Sequence, residues 1–165
     1  METLETNRAI RTFSGEYIDV FDPSPAHLHI EDIAHGLAYR CRFGGHTKTF
    51  HSVAEHCIHI SDMCPPHLRL QALLHDASEA YIGDMPTPIK QFLPDFQALE
   101  NRLMEAIGLK FGFSPRIDSF VKALDKSSLE WEWENKVLND NVKSMEPERV
   151  KALFLMRFQQ ITKHF

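Results

Sequence analysis

At 165 residues, with 43% hydrophobic and 25% charged residues, the chain has the size and composition of one globular domain with a sizeable core. Its net charge of −5 argues against a general binder of nucleic acid or anionic membranes, and no apolar run approaches the length of a membrane span. Residues 1–11 are polar with both charge signs, unlike a secretory signal, and Cys41, Cys57 and Cys64 form no CxxC pair, so a reducing cytoplasmic compartment is expected.

In chain order, residues 12–18 predict a small hairpin with Ser14-Gly15 at its turn, and Asp22-Pro23-Ser24-Pro25 then breaks the chain. Ile30, Ile33, Ala34, Leu37 and Ala38 recur at helical spacing and predict a first helix reaching roughly Cys41. Arg42-Phe43-Gly44-Gly45-His46 reads as a loop. A second helix follows over residues 52–63, with Ser52 and Glu55 as a capping box and Val53, Cys57 and Ile60 as its apolar face. Pro65-Pro66 opens a third helix, marked by Leu70, Leu73, Leu74, Ala77 and Tyr81. Residues 83–88 form a proline-stiffened loop. Phe96, Leu99, Leu103 and Ile107 mark a fourth helix, closing between Gly108 and Gly112. Ser114-Pro115 reads as the start of a fifth, with Ile117, Val121, Leu124, Ser128 and Leu129 inward. Pro147 begins the last, through Val150, Leu153, Phe154 and Ile161. Without a repeat or linker, residues 1–165 are expected to form a single all-α domain of about six helices, with a small β element in front.

The chemistry concentrates in the third helix. His75, Asp76 and Glu79 lie within its apolar pattern, and burying an imidazole beside two carboxylates is costly unless something positive compensates. Either His75 is ion-paired to a carboxylate, or a divalent metal is bound. Further ligands decide between these, and two other helices offer them: His56 on the second and Asp125 on the fifth. Two imidazoles and two carboxylates make a mixed nitrogen and oxygen site suited to a catalytic metal with open positions. Thiolates are absent from that set.

The order His56, His75-Asp76, Asp125 resembles the H…HD…D motif of the HD-domain phosphohydrolase superfamily. Residues 52–56 and 75–90 closely resemble the branch containing bacterial deoxyribonucleoside 5′-monophosphatases and phage dATP triphosphohydrolases. Arg42-Phe43 resembles that branch's Arg-aromatic pair, while residues 13–32 look more like uncharacterised and phage members. The resemblance implies an HD-domain helical bundle in the cytoplasm of a bacterial or phage-infected cell. It also implies a metal held by His56, His75, Asp76 and Asp125, with zinc favoured and magnesium, manganese or cobalt as alternatives. The first expectation for function is a dATP-preferring triphosphohydrolase releasing deoxynucleoside and triphosphate. The alternative is a 5′-nucleotidase releasing phosphate from deoxynucleoside monophosphates.

Within that frame, Glu79 is expected to take the proton from the attacking water or to orient it. Asp84 is expected to hold the same water, or to act on the leaving oxygen or ribose. Lys90 suits a phosphate; Arg42 suits a base edge or a phosphate. Phe43, where relatives carry Trp, suits stacking on a base or packing on deoxyribose. Relatives form dimers or larger rings, so a homo-oligomer is expected, with Phe154, Phe158 and Phe165 as exposed-looking apolar residues. A deoxynucleotide is the expected partner, with neither nucleic acid nor membrane. Of the other histidines, His59 reads as a core group or a support for the ligands, and His46 and His51 as lying near the mouth, within reach of polyphosphate. Trp131 and Trp133, set among Glu130, Glu132 and Glu134, read as packing on a charged helix.

Overall fold

The computed structural model describes residues 8–163 and is mostly helical, with one small antiparallel hairpin at the front, the architecture expected of an HD-type bundle. Strands β1 (Ala9–Arg11) and β2 (Tyr17–Asp19) pair with Ile10 opposite Ile18. Gly15 adopts φ +98° in the turn, where a side chain would be strained. The turn is fixed from outside. Asp32, buried on helix α1 (Ile30–Ala38), accepts both the backbone N–H and the hydroxyl of Ser14 at 2.7 Å.

Helix α1 stops short of Cys41, because Cys41 is used in an antiparallel bridge to Ser52. Arg42 N–H donates to His51 O at 2.8 Å and Val53 N–H to Arg40 O at 2.9 Å. This bridge closes the loop between residues 42 and 51, so that Arg42 and His51 enter the domain side by side. Ser52 then caps helix α2 (Val53–Met63), accepting the Glu55 N–H at 3.0 Å, while the Glu55 carboxylate accepts the Met145 N–H.

The expected third helix is broken. Helix α3 (Arg69–Leu74) gives way to a tight turn at residues 75–78, then to α4 (Glu79–Ile82). His75 Nδ1–H donates to Ala72 O at 2.7 Å, the carbonyl that a continuing α-helix would offer to the Asp76 N–H. The backbone tightens to three-residue bonds, Ala77 N–H to Leu74 O and Glu79 N–H to Asp76 O, both 3.0 Å. The loop after Gly83 is also shorter than expected, since Thr87–Lys90 forms a short helix α5.

Helix α6 (Pro94–Phe111) closes on Gly112 at φ +78°. The next helix does not begin at Ser114-Pro115. Buried Gln71 of α3 donates to the carbonyls of Ser114 (2.8 Å) and Arg116 (3.1 Å) and accepts the Asp118 N–H (2.9 Å). Those bonds hold the segment out of a helix. Asp118 instead caps α7 (Ser119–Glu132), which runs on into a wide π turn (Trp133–Leu138) before α8 (Pro147–Thr162). On α7, Val121, Ser128 and Glu132 are buried, whereas Leu129, expected inward, is turned out and 43% exposed.

The core lies between α1, α2, α3, α6 and α8, where Ile33, Leu37, Val53, Leu73, Ile107 and Phe154 are fully buried. Phe154 of the last helix is part of the core and Phe158 packs against it; Phe158 meets Phe111 edge-on at 5.6 Å. Phe165 lies outside the described residues. Among the described residues no helix is long and apolar enough to cross a membrane.

Gly36 lets α1 approach α4 closely: a Cβ there would sit 2.7 Å from the Ala80 carbonyl oxygen and 2.8 Å from its Cβ. Both neighbours are rigid, so Gly36→Ala is expected to destabilise the protein by about 1–3 kcal/mol through overpacking. A urea unfolding midpoint equal to wild type would contradict this close contact.

Candidate metal centre

His56 from α2, His75 and Asp76 from the turn after α3, and Asp125 from α7 converge on one point. His56 Nε2 lies 3.1 Å from Asp125 Oδ1 and 3.6 Å from Asp76 Oδ2. His75 Nε2 lies 3.3 Å from Asp76 Oδ2 and 3.8 Å from Asp125 Oδ1. Yet both Nε2 atoms are buried and, among the described residues, have no hydrogen-bond partner. The opposite ring nitrogens are engaged: His75 Nδ1–H donates to Ala72 O, and His56 Nδ1–H donates to Glu132 Oε1 at 2.9 Å. These bonds select the tautomer whose Nε2 lone pair faces the two carboxylates. The arrangement fits a divalent cation, because it offers two lone-pair donors and two anionic oxygens around one space, and His56, His75 and Asp125 have ligand atoms within 4.8 Å of one another.

The electrostatics point the same way. Burial opposes a charged His75, but the Asp76 and Asp125 carboxylates outweigh it and hold its pKa well above the ordinary value. Burial likewise opposes ionised Asp125 and Asp76, yet the two imidazoles hold both down, Asp76 to about 2. A cluster that draws a proton this strongly offers the same attraction to a metal cation. Cys57, His75 and Asp76 form a second close group. Burial pushes the Cys57 thiol up to about 11, so it offers no thiolate near neutral pH.

Of the other residues singled out in the sequence, Glu79, Asp84, Arg42 and Lys90 lie close enough to Asp76 to interact with its charge. Glu79 is buried and, among the described residues, its Oε2 has no hydrogen-bond partner. Burial, then the Asp76 and Asp84 carboxylates, raise its pKa well above the carboxyl range. Asp84 is raised too, by burial against the pull of Arg42. Arg42 is buried and donates through Nε (2.9 Å) and Nη2 (2.6 Å) to Glu132 Oε2, with Nη1 3.9 Å from Asp76 Oδ2. Lys90 Nζ donates to Glu100 Oε1 at 2.9 Å. Phe43 holds a positive φ of 56°, a strained conformation for a bulky residue, and its ring lies 6.0 Å from that of Trp133.

Glu132 is 1% exposed and central, against its reading as part of a charged surface. It follows Asp125 by seven positions and Ser128 by four, so helical spacing alone sets all three on one face. His51 is also buried; its Nε2–H donates to Glu132 Oε1 at 3.2 Å, with Nδ1 3.0 Å from Ser144 Oγ. Behind it, fully buried Lys136 donates to Ser144 Oγ at 2.8 Å and to the Val142 carbonyl. His59 is exposed and stacks on Trp131, neither core nor ligand support, and His46 is exposed.

A family model described as 5′-deoxynucleotidase YfbR-like matches residues 46–108, the stretch that carries His56, His75, Asp76, Glu79, Asp84 and Lys90. The uncharacterized Escherichia coli protein YfdR is 32% identical over 93% of this chain and 95% of its own length. An uncharacterized Rhodobacter capsulatus protein is 38% identical over 72% of this chain and 65% of its own. The 5′-deoxynucleotidase of Vibrio cholerae is 28% identical over 78% of this chain and 62% of its own length.

Folding lowers the pKa of Asp76 from 3.8 to about 2, so its contribution to stability is complete above the unfolded value and lost as pH falls through the folded one. Glu79, raised in the fold, is protonated in both states below about pH 4 and does not offset this. Chelator-treated protein is therefore expected to lose stability between roughly pH 4 and pH 2, with Asp76→Asn showing a shallower loss. Equal slopes for the two proteins in urea melts would contradict the ion-paired geometry of Asp76.

Proposed function

We propose, from the premise that the chain belongs to the family of the Escherichia coli protein YfdR, that it hydrolyses deoxynucleoside 5′-monophosphates at a divalent metal held by His56, His75, Asp76 and Asp125. It is a metal-dependent phosphohydrolase of the HD type. The observation that carries the site assignment is the pair of buried, unbonded Nε2 atoms facing two carboxylates. A divalent ion bound there supplies charge neutralisation for the phosphoryl oxygens and lowers the pKa of water.

The chain's own groups do the rest. Glu79 Oε2 is buried, unpartnered and raised in proton affinity, which suits it to take a proton from the attacking water. Asp84, also raised, suits holding that water or bonding the leaving side of the substrate. Arg42 presents Nη1 toward Asp76 and so toward the phosphate position. Phe43, half-buried beside Trp133, supplies an apolar wall for the nucleoside.

The cations and the relatives support a single phosphate. A triphosphate needs free positive charge beyond the metal. Lys90 is already neutralised by Glu100, and two of the three guanidinium nitrogens of Arg42 are taken by Glu132. The match to a 5′-deoxynucleotidase family model and the 5′-deoxynucleotidases of two Vibrio species support the same choice over the dATP triphosphohydrolase expected first.

Incubation with dAMP in the presence of zinc, manganese, magnesium or cobalt is expected to release orthophosphate and deoxynucleoside, and Asp76→Ala is expected to abolish both activity and metal content in a folded protein. Triphosphate appearing from dATP while dAMP stays intact would restore the triphosphohydrolase reading. Glu79→Gln is expected to lower kcat by about 100-fold or more with little change in KM, the size of a lost acid–base group. A change in KM alone would instead make Glu79 a binding residue.

A further inference from the structure

Glu132 is the most heavily bonded carboxylate near the centre, and the proposed reaction does not use it. Its two oxygens face different partners. Oε1 accepts from His56 Nδ1 at 2.9 Å and from His51 Nε2 at 3.2 Å. Oε2 accepts from Arg42 Nε at 2.9 Å and Nη2 at 2.6 Å. One buried carboxylate thus joins a metal ligand to the cation beside the phosphate position. Of the three Arg42 nitrogens, two are turned into Glu132, and Nη1 alone is left toward Asp76, at 3.9 Å.

We propose that Glu132 is a positioning residue with two tasks: it fixes the His56 tautomer that directs Nε2 at the metal, and it clamps Arg42 so that Nη1 meets the phosphoryl group. This inference rests on the metal-centre reading above. A neutral imidazole carries one ring proton, and a carboxylate can only accept, so the bond to Glu132 keeps that proton on Nδ1. A guanidinium gripped through Nε and Nη2 by a single carboxylate has its remaining edge fixed in direction. Glu132 is itself held in place. His51 reaches Ser144 through Nδ1 at 3.0 Å, and buried Lys136 bonds the same Ser144 hydroxyl at 2.8 Å. The carboxylate therefore cannot swing to serve one partner and abandon the other.

The test is metal binding by the full chain, stripped with a chelator and titrated with Zn²⁺ against a chromophoric competitor. The His56 Nδ1 proton is followed by NMR in the same samples. Glu132→Asp keeps the negative charge but shortens the side chain by one methylene, which draws it back from both His56 and Arg42. It is expected to fold, to bind Zn²⁺ about 10- to 100-fold more weakly, and to lose the downfield Nδ1–H resonance. Glu132→Gln is expected to weaken Zn²⁺ binding similarly, and Arg42→Gln, which leaves the Glu132–His56 bond in place, to lose no Zn²⁺ affinity. Should Glu132→Asp or Glu132→Gln fail to fold, the Arg42→Gln/Glu132→Gln pair removes both buried charges, and its weakened Zn²⁺ binding gives the same reading. Wild-type Zn²⁺ affinity in the folded Glu132 variants, or an unchanged Nδ1–H signal, would overturn the inference and leave the metal centre standing. A wild-type chain that binds neither Zn²⁺ nor Mn²⁺ would overturn both.

Discussion

Two imidazole nitrogens and two carboxylates facing one another in a largely buried space impose the constraint on which the rest of this fold depends. His56 and His75 each have one ring nitrogen bonded and the other aimed, unbonded, at Asp76 and Asp125. Such a cluster is unfavourable unless every charge is compensated, because desolvation of an unpaired carboxylate exceeds what packing returns. Compensation requires four side chains, from two helices and the turn after α3, to be held against one another. Much of the surrounding architecture serves that registration.

Three local devices set the helices. The Cys41–Ser52 bridge brings Arg42 and His51 in together and fixes the start of α2, hence His56 one turn later. The His75 ring takes the Ala72 carbonyl, which breaks the helix and tightens the backbone that carries Asp76 and Glu79. Gln71, close to that break in the chain, ties the segment before α7 through three backbone bonds. Residues near His75 therefore decide where the helix bearing Asp125 and Glu132 begins, and the separate halves of the centre are coupled through the backbone.

The same pairing of charges bears on the proposed substrate. Positive charge beyond the metal favours a longer, more highly charged phosphate chain. Here the nearby cations are engaged by carboxylates: Lys90 by Glu100 on the neighbouring α6, and Arg42 by Glu132. Counting Lys90 and Arg42 as free side chains favours a longer phosphate chain; pairing them favours a single phosphate. The similarity to 5′-deoxynucleotidases and the pairing of these cations support the same proposal independently.

The sequence by itself determined the helical class, the front hairpin, and the four residues that meet at the centre. Apolar periodicity reports which face of a helix is buried, and His56, His75, Asp76 and Asp125 stand out as polar groups set among apolar positions. Only the tertiary structure decided the partners. Arg42 and Glu132 are distant in the chain, and long flexible side chains choose among neighbours by proximity in the fold, which periodicity does not encode. Helix ends were lost for a related reason. The break at His75 and the late start of α7 come from side chains, His75 and Gln71, capturing backbone groups. Such capture depends on which groups the folded chain brings within 3 Å of one another, roughly the reach of one hydrogen bond.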